Sequence, residues 1–339
     1  MQKLRIPSTL FIGSGILLAA ALPTTASAAP EFDFYGSVRL MGETVRPGNT
    51  NELDNYNGVR DAYSRLGVNA SYDLGGETTL FAQLELPLDF ANKAVQDPYD
   101  QEQDIRVARM GLRGDFGTLA VGQMWMPYYN AIAWPVDMFS TYYSGFATYT
   151  TFRRDNTVAY VSPDLNGFSL SAGWSQENGA AKANGDIDNR IQATVSYAFS
   201  DSSIALGLDQ PGGEFDARIW GLALTHQIGP IYLGAKVEQH DSKLQSGYGA
   251  DGDTAAKLYL GYTRGRHTFK AMVANVEGYG ENILHLGVDH QMNAELKFFV
   301  EYYQEEETAA ITSKRGGAAD TVWTAEGGRV FAVGMRYDF

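Results

Sequence analysis

Five arginines lie in segments where apolar and polar residues alternate, and each falls on the polar side. Arg39, for example, stands between Val38 and Leu40. Successive side chains of an extended chain point to opposite faces, so these arginines face away from the apolar side. A guanidinium stays charged at neutral pH, so several on one surface would create a positive field that acts on dissolved ions. The five residues are Arg39, Arg65, Arg109, Arg113 and Arg153.

The longest connecting segment, residues 125–152, carries a single carboxylate, Asp137. Its other residues include many tyrosines, together with tryptophan and phenylalanine, which are costly to leave in water. We expect a loop of this length and composition to pack against the rest of the molecule. Asp137 is therefore the only acidic group that this segment could contribute to a charged site.

No motif in the sequence indicates an enzyme or a resident cofactor. The stretch 247–252 (GYGADG) matches a dinucleotide-binding spacing, but it follows no buried parallel strand and opens no helix. The five histidines lack a metal-binding spacing such as HExxH, and the absence of cysteine excludes thiolate zinc sites and a cysteine nucleophile. The formal net charge of −14 argues against a nucleic-acid partner, because phosphates repel an acidic chain.

The N-terminal residues 1–28 have the layout of a secretory signal peptide. Lys3 and Arg5 are followed by an apolar stretch over 10–22 and by small residues at 26–28 (ASA). We expect cleavage after Ala28 and a mature domain over 29–339, whose net charge changes to about −16 because two basic residues and no acidic one are removed. The alternative is a retained anchor, which the short apolar run disfavours.

The rest of the chain alternates apolar and polar residues in segments of roughly ten, which predicts β-strands. Short connections such as 75–76 alternate with long or polar ones such as 46–59 and 125–152. Seven short and eight long connections predict sixteen strands. The even number places both termini at the short-turn end.

Aromatic residues near the strand ends favour a membrane barrel over a soluble protein. Such residues form girdles at the two membrane interfaces. A sheet can cross lipid only when it closes, because every backbone polar group then has a partner. Sixteen strands enclose a lumen too wide for side chains to fill, so water fills it. The alternative is a secreted β-sandwich or β-helix.

Several stretches, taken in order, resemble the general bacterial porins, the trimeric sixteen-stranded diffusion channels of the Gram-negative outer membrane. The resemblance spans 31–339. The matching stretches are 34–39 (FYGSVR), 64–67 (SRLG), 109–123 (RMGLRGDFGTLAVGQ), 153–160 (RRDNTVAY), 166–170 (NGFSL) and 337–339 (YDF).

The resemblance implies an all-β fold, a 16-stranded antiparallel transmembrane β-barrel whose third long loop, 125–152, folds into the lumen. It implies passive diffusion of small hydrophilic solutes and ions through a homotrimer. Asp137 would face the basic wall across a constriction, and Phe339 and Tyr337 would form the membrane-insertion signal recognised by the barrel-assembly machinery. The constriction residues carried over are Arg39, Arg65, Arg109, Arg113, Arg153 and Asp137.

The loop departs from the family in its acidic content. Many enterobacterial members carry a Pro-Glu-Phe-Gly-Gly stretch with more than one acid, whereas this chain has 135–140 (PVDMFS). We therefore expect the constriction to pass small anions at least as easily as cations.

Three questions stay open from the sequence. The aromatic loop is also compatible with a porin selective for sugars or for anions such as phosphate, and a plugged structural or adhesive barrel is a further alternative. Acidic clusters in the long loops form either a solvated rim or divalent-cation bridges to lipopolysaccharide phosphates. The clusters are Asp97, Asp100, Glu102 and Asp104; Asp241, Asp251 and Asp253; and Glu305, Glu306 and Glu307.

Overall fold

A computed structural model describes residues 29–51, 53–96, 105–176, 189–212, 215–247, 249–278, 280–307, 310–311 and 326–339. The predicted signal peptide and the first acidic cluster, 97–104, lie outside these residues. Among the described residues, no helix combines the length and the apolar character that crossing a membrane requires.

The described part of the chain forms seventeen β-strands and three short helical turns. The strands are β1 (Glu31–Pro47), β2 (Tyr56–Asp61), β3 (Ser64–Gly75), β4 (Thr78–Leu88), β5 (Val107–Gly114), β6 (Gly117–Trp125), β7 (Arg153–Val161), β8 (Phe168–Gln176), β9 (Asn189–Phe199), β10 (Ser202–Gln210), β11 (Arg218–Ile228), β12 (Ile231–Asp241), β13 (Thr254–Arg264), β14 (His267–Val276), β15 (Gly280–Gln291), β16 (Leu296–Glu305) and β17 (Gly328–Asp338). The turns are Tyr129–Ala133, Trp134–Val136 and Tyr143–Phe146.

The sheet is antiparallel and closes on itself where β17 pairs with β1. β2 and β3 both pair with β1, one along its second half and one along its first. They are two halves of one barrel strand, interrupted at Ala62 and Tyr63, where Tyr63 adopts a φ of 68°. The predicted sixteen-stranded barrel is therefore confirmed, with one strand broken.

The two chain ends meet at the short-turn end of the barrel, as the even strand number requires. The Gly36 amide donates to the Phe339 carbonyl at 2.8 Å, and the Phe339 amide donates to the Gly36 carbonyl at 3.1 Å. A Cβ atom on Gly36 would lie 2.4 Å from the Phe339 ring. Glycine at this position thus lets the terminal aromatic ring cover the seam between the last strand and the first.

One face of each strand carries the exposed apolar side chains, and the alternate residues face the lumen. Leu66, Met110, Leu206 and Leu258 are examples of exposed large apolar residues. Exposed apolar side chains around a closed barrel match the outward band of a membrane barrel.

The segment between β6 and β7 packs inside the barrel. Tyr143 donates from its hydroxyl to Glu43 of β1, the Tyr128 amide donates to Gln192 of β9, and the Ser140 amide donates to Glu301 of β16. Because β1 and β9 lie on opposite sides of the ring, a segment that contacts both can lie only in the lumen. The main buried apolar cluster joins this segment to the inner wall.

Candidate constriction site

Three glycines on neighbouring strands make room for the segment 126–152, which we call the inner loop. A Cβ atom would lie 2.8 Å from the Tyr128 ring at Gly207 and 2.2 Å from the Tyr128 hydroxyl at Gly221. At Gly234 it would lie 2.9 Å from the Val136 side chain. The inner loop can therefore approach β10, β11 and β12 closely, which leaves space on the other side of the lumen.

Glu301 on β16 holds the middle of the inner loop. Its carboxylate accepts hydrogen bonds from the Ser140 amide at 2.8 Å, the Thr141 amide at 3.0 Å and the Thr141 hydroxyl at 2.7 Å. Lys270 on β14 neutralises it at 2.8 Å. Buried charges are stable only when they are paired and hydrogen-bonded, and this carboxylate is both.

Glu238 on β12 and Asp209 on β10 repeat this arrangement further along the inner loop. The Thr148 hydroxyl donates to Glu238 at 2.8 Å, and the Thr150 hydroxyl donates to Asp209 at 2.6 Å. The basic partners of these two carboxylates on the wall are Lys236 and Arg190. We call Glu301, Glu238 and Asp209 the anchoring carboxylates.

A cavity of about 530 Å³ lies between the inner loop and the opposite wall, formed by β16, β17, β1, β3, β4 and β7. Cationic side chains dominate its charged lining. The cations are Arg39, Arg65, Arg106, Arg153, Lys297 and Arg336, and the acids are Glu85 and Asp137.

The structure brings Arg39, Arg65, Arg153 and Asp137, all predicted from the sequence, to this cavity. Arg109 and Arg113 do not reach it. They line a second cavity that also borders Glu31 and Asp33, near the start of β1, and Arg109 donates to Gln83 at 2.9 Å. Strand parity gives the face of a residue but not its height, and each two-residue step moves a side chain about 6.6 Å along the strand.

Four charged residues of the cavity were not predicted. Lys297 and Arg336 lie on the polar sides of β16 and β17, so the parity rule could have found them. Barrel closure then sets Arg336 directly opposite Arg39. Glu85 lies on the polar side of β4. Arg106 precedes β5 and has no strand parity, so no sequence signal identifies it.

Carboxylates compensate the cavity cations only in part. Glu85 serves both Arg106, at 2.8 Å, and Arg65, at 3.6 Å. Arg39 donates to the Ser37 hydroxyl at 2.7 Å, and within the described residues no ion pair to a carboxylate is formed by Arg39. Outside the cavity lining, Asp289 pairs with Lys297 at 2.7 Å and Asp338 pairs with Arg336 at 2.6 Å. Even with these acids counted, cations outnumber acids among the described residues at this cavity.

Asp137 itself is engaged by the inner loop. The Tyr129 hydroxyl donates to its carboxylate at 3.1 Å. Burial, together with the neighbouring Asp137 charge, raises the pKa of Tyr129 well above its ordinary value, so the phenol stays protonated and remains a donor. The inner loop therefore presents one carboxylate, held in a fixed position.

Aromatic rings form much of the inner-loop side of the cavity. The pairing of β6 with β7 shifts register between Gly122 and Met124, and Trp125, the last residue of β6, lines the cavity. The Trp125 ring stacks on Tyr129 with centroids 4.8 Å apart, and the Arg153 guanidinium lies 4.5 Å from the Trp125 ring centroid. Cations and aromatic faces therefore adjoin each other in this cavity.

Phe339 and Tyr337, predicted as the insertion signal, lie at the end of the chain beside β1. Their rings stack with centroids 5.6 Å apart, and both are exposed. They are therefore accessible at the closing seam, and their recognition by assembly machinery stays a prediction.

The acidic clusters at the long-loop end do not behave as one group. Glu305 is 2% exposed and accepts hydrogen bonds from the Tyr303 hydroxyl and the Ile311 amide. Its carboxylate therefore stabilises the local chain and is not part of a solvated rim. Asp241 is exposed and pairs with Arg218 at 3.4 Å. Across the part of the chain that the structure describes, no group of three or more acidic or histidine side chains is arranged to hold a metal ion.

The fold and this site define a closed barrel with a narrowed, hydrated lumen, which is the architecture of a diffusion channel. The family model for Gram-negative porins matches residues 15–310. The chain belongs to this family, and it is an outer-membrane channel for passive diffusion of solutes.

Curated relatives are similar to this chain at low identity. The chitoporin of Vibrio furnissii is 24% identical over 236 residues, 62% of this chain and 63% of that protein, so the match spans less than two thirds of its length. A major outer membrane protein P.IB of Neisseria gonorrhoeae is 27% identical over 283 residues, 78% of this chain and 77% of that protein.

Solved structures share the barrel. The anion-selective porin from Comamonas acidovorans superposes with a TM-score of 0.69 at 17% identity, covering 92% of this chain and all of that one. The trimer form of OmpT, an outer membrane protein of Vibrio cholerae, superposes with a TM-score of 0.65 at 18% identity, with the same coverage. At these identities the likeness shows the fold.

Proposed function

We propose that the constriction gives this porin a preference for small anions over cations. The observation that carries the proposal is the lining of the cavity, where the described residues include six cationic side chains and two carboxylates. Their field acts on solutes that pass between the inner loop and the opposite wall. The Comamonas acidovorans porin, which shares the fold, is anion-selective, in agreement with this proposal.

The acidic net charge of the chain does not oppose this preference. Salt screens charges beyond about 10 Å at 0.1 M ionic strength, so acids at the loop ends contribute little at mid-barrel. An ion inside the cavity passes within a few ångströms of its walls. The local excess of guanidinium and ammonium groups therefore decides the selectivity.

A reversal potential across a planar bilayer with a KCl gradient tests the proposal. We expect a permeability ratio of chloride to potassium above one for the purified protein. A strong preference for potassium would overturn the proposal without affecting the porin assignment.

We also propose that the channel is a homotrimer whose subunits meet through the outer faces of β3–β6. Among the described outward residues of these strands, Tyr72 is the only aromatic, whereas β8–β11 carry Trp174, Tyr197 and Trp220 outward. Aromatic girdles mark surfaces that meet lipid, so an aliphatic sector fits contact with a second copy of the chain. The trimer form of the Vibrio cholerae protein supports this assembly.

The trimer proposal is tested by mass measurement in detergent. Met110→Lys in the aliphatic sector should convert trimers to monomers, whereas Leu206→Lys, also exposed and outward, should leave the trimer intact. Trimers that survive Met110→Lys unchanged would place the interface elsewhere.

We also propose that the chain is exported with a cleaved signal peptide and then assembled in the outer membrane. Cleavage after Ala28 would release a mature barrel beginning at Ala29, and the terminal Phe339 would direct its assembly. N-terminal sequencing of the protein from outer membranes tests the cleavage. Deleting Phe339 should reduce the assembled amount, and full assembly of that variant would remove the insertion role.

Transport of neutral sugars is a second candidate, favoured by the aromatic lining of the cavity and by the chitoporin relative. Saturable block of the ion current by neutral oligosaccharides would support it. The proximity of aromatic rings to cations favours solutes that combine a flat ring with negative charge.

A further inference from the structure

Trp134 is an aromatic side chain that faces water within the lumen. It exposes 52% of its surface and borders the cavity. Trp174 and Trp220 are similarly exposed, but they stand on the outward faces of β8 and β11, where lipid covers them. An indole left in a hydrated lumen gains stability only when a solute covers its face.

Trp134 belongs to a continuous aromatic run that ends at a guanidinium. Its ring lies 6.4 Å from the Tyr129 ring, and Tyr129 stacks on Trp125 at 4.8 Å. The Arg153 guanidinium lies 4.5 Å from the Trp125 centroid, and Arg106 lies 5.8 Å from the same ring. Trp134, Arg153 and Arg106 all line the same cavity, so a solute that covers Trp134 shares that cavity with the arginines.

We propose that this cavity is a transient binding subsite for planar, aromatic carboxylates. The proposal rests on the anion preference argued above and names the solute class. The carboxylate of the solute would bind to the arginines, whose forked donors suit carboxylate oxygens, and its ring would lie against Trp134. The cavity volume of about 530 Å³ falls within the range of about 300–1,000 Å³ that is usual for small-molecule sites.

Inorganic anions and neutral sugars would each use only part of the cavity lining. Phosphate or chloride interacts with the cations and leaves the indole uncovered. A neutral sugar can stack on the indole and accept hydrogen bonds from the cationic side chains, but it carries no charge for their field to attract. A solute with both a carboxylate and a flat apolar face uses both parts, and this combination distinguishes it from the other two classes.

Benzoate and cyclohexanecarboxylate provide the test, because they share charge and ring size but differ in planarity and aromatic character. Each is added to single channels of the trimer while the chloride current is recorded. We expect benzoate to block at a concentration about three- to tenfold lower, since aromatic pairs contribute about 0.5–1.5 kcal/mol beyond area burial. Equal block by the two acids would overturn the subsite.

Variants of Trp134 and Trp220 test which aromatic ring causes the difference in block between the two acids. Trp134→Leu keeps an apolar side chain without an aromatic face and should remove the difference between the acids, whereas Trp134→Phe should retain most of it. Trp220→Leu, on the lipid side, is the matched control and should behave as the parent protein. If Trp134→Leu retained the full difference, the ring would bind elsewhere and the proposed subsite would be wrong.

The KCl reversal potential, recorded on the same channels, separates this proposal from the anion preference. Chloride preference with equal block by the two acids removes the aromatic subsite alone. Potassium preference removes the anion proposal and, with it, the carboxylate subsite. Stronger block by neutral oligosaccharides of N-acetylglucosamine than by benzoate would also overturn the subsite and would favour the sugar alternative.

Discussion

The two sides of the inner wall use charge differently. From β9 to β16 the wall meets the inner loop, and each anchoring carboxylate is paired with a basic neighbour and accepts hydrogen bonds from the loop. From β16 through β17 and β1 to β7 the wall borders the open cavity, and cations exceed acids among the described lining residues. Glu43 of β1 is the exception on this side, because it accepts a hydrogen bond from Tyr143 of the inner loop. The pairs on the first side fix the inner loop, whereas the larger number of cations on the second side creates a field for solutes.

Strand β16 contributes to both sides and shows how close the two uses lie. Glu301 holds the inner loop at Ser140 and Thr141. Lys297, four residues nearer the short-turn end, lines the cavity. Four positions along one strand therefore separate an anchoring residue from a residue that faces the solute.

Loss of an anchoring carboxylate should have the largest effect. Glu301→Leu would leave Lys270 with one fewer partner and the Ser140 and Thr141 amides without an acceptor. Breaking a buried pair costs about 3–5 kcal/mol, which is enough to detach this part of the inner loop while the barrel ladder persists. We expect larger and noisier single-channel currents. Glu301→Gln retains an acceptor and should be milder, and parent-like conductance in the leucine variant would contradict the anchoring role.

Filling the space at one of the wall glycines of β10–β12 (Gly207, Gly221 and Gly234) should have the next largest effect on conductance. Gly221→Val introduces atoms where even a Cβ would lie 2.2 Å from the Tyr128 hydroxyl, so the inner loop must move toward the cavity. We expect conductance to fall clearly. Gly42→Val is the control, because no atom lies within 4 Å of a Cβ at that position. The same conductance change in both variants would mean that the wall glycines do not seat the loop.

Removing one cavity cation should have a moderate effect on selectivity. A unit charge about 5 Å away favours chloride and disfavours potassium by about 0.8 kcal/mol each in a water-like dielectric, so Arg39→Ala should lower the chloride-to-potassium permeability ratio by about four- to sixteenfold, with salt screening moving the change to the lower end. Arg113→Ala, which removes a charge from the second cavity, should change it less. An equal loss from Arg113→Ala would show that the two cavities act as one selectivity region.

Salt should produce the smallest change. Raising KCl from 0.1 M to 1 M shortens the screening length from about 10 Å to about 3 Å and weakens the field across the cavity. We expect the anion preference to decline while loop-dependent noise stays the same, because the buried anchoring pairs are shielded from salt. Noise that rises with salt would indicate that the anchors are solvated.

The barrel strands could be predicted from the sequence, whereas the charged site could be predicted only in part. The alternation around Arg39 and Arg65 is local, so strand number and inward faces followed from sequence. The assembly of Arg106 and Glu85 did not, because Arg106 lies outside a strand and reaches the lumen through a bend before β5. The placement of Arg109 and Arg113 in another cavity depends on height along the barrel, which parity does not encode.

Period-two patterning and the spacing of turns are properties of short stretches, and for that reason the amino-acid order alone determined the sixteen strands, their outward apolar side and the common end of both termini. Only the tertiary structure decided which inward charges meet. Strand register and barrel closure place Arg336 opposite Arg39. The wall glycines of β10–β12 allow the inner loop to pack against one side of the lumen. These contacts join residues far apart in the chain, and their energies depend on distance in space, which no local pattern specifies.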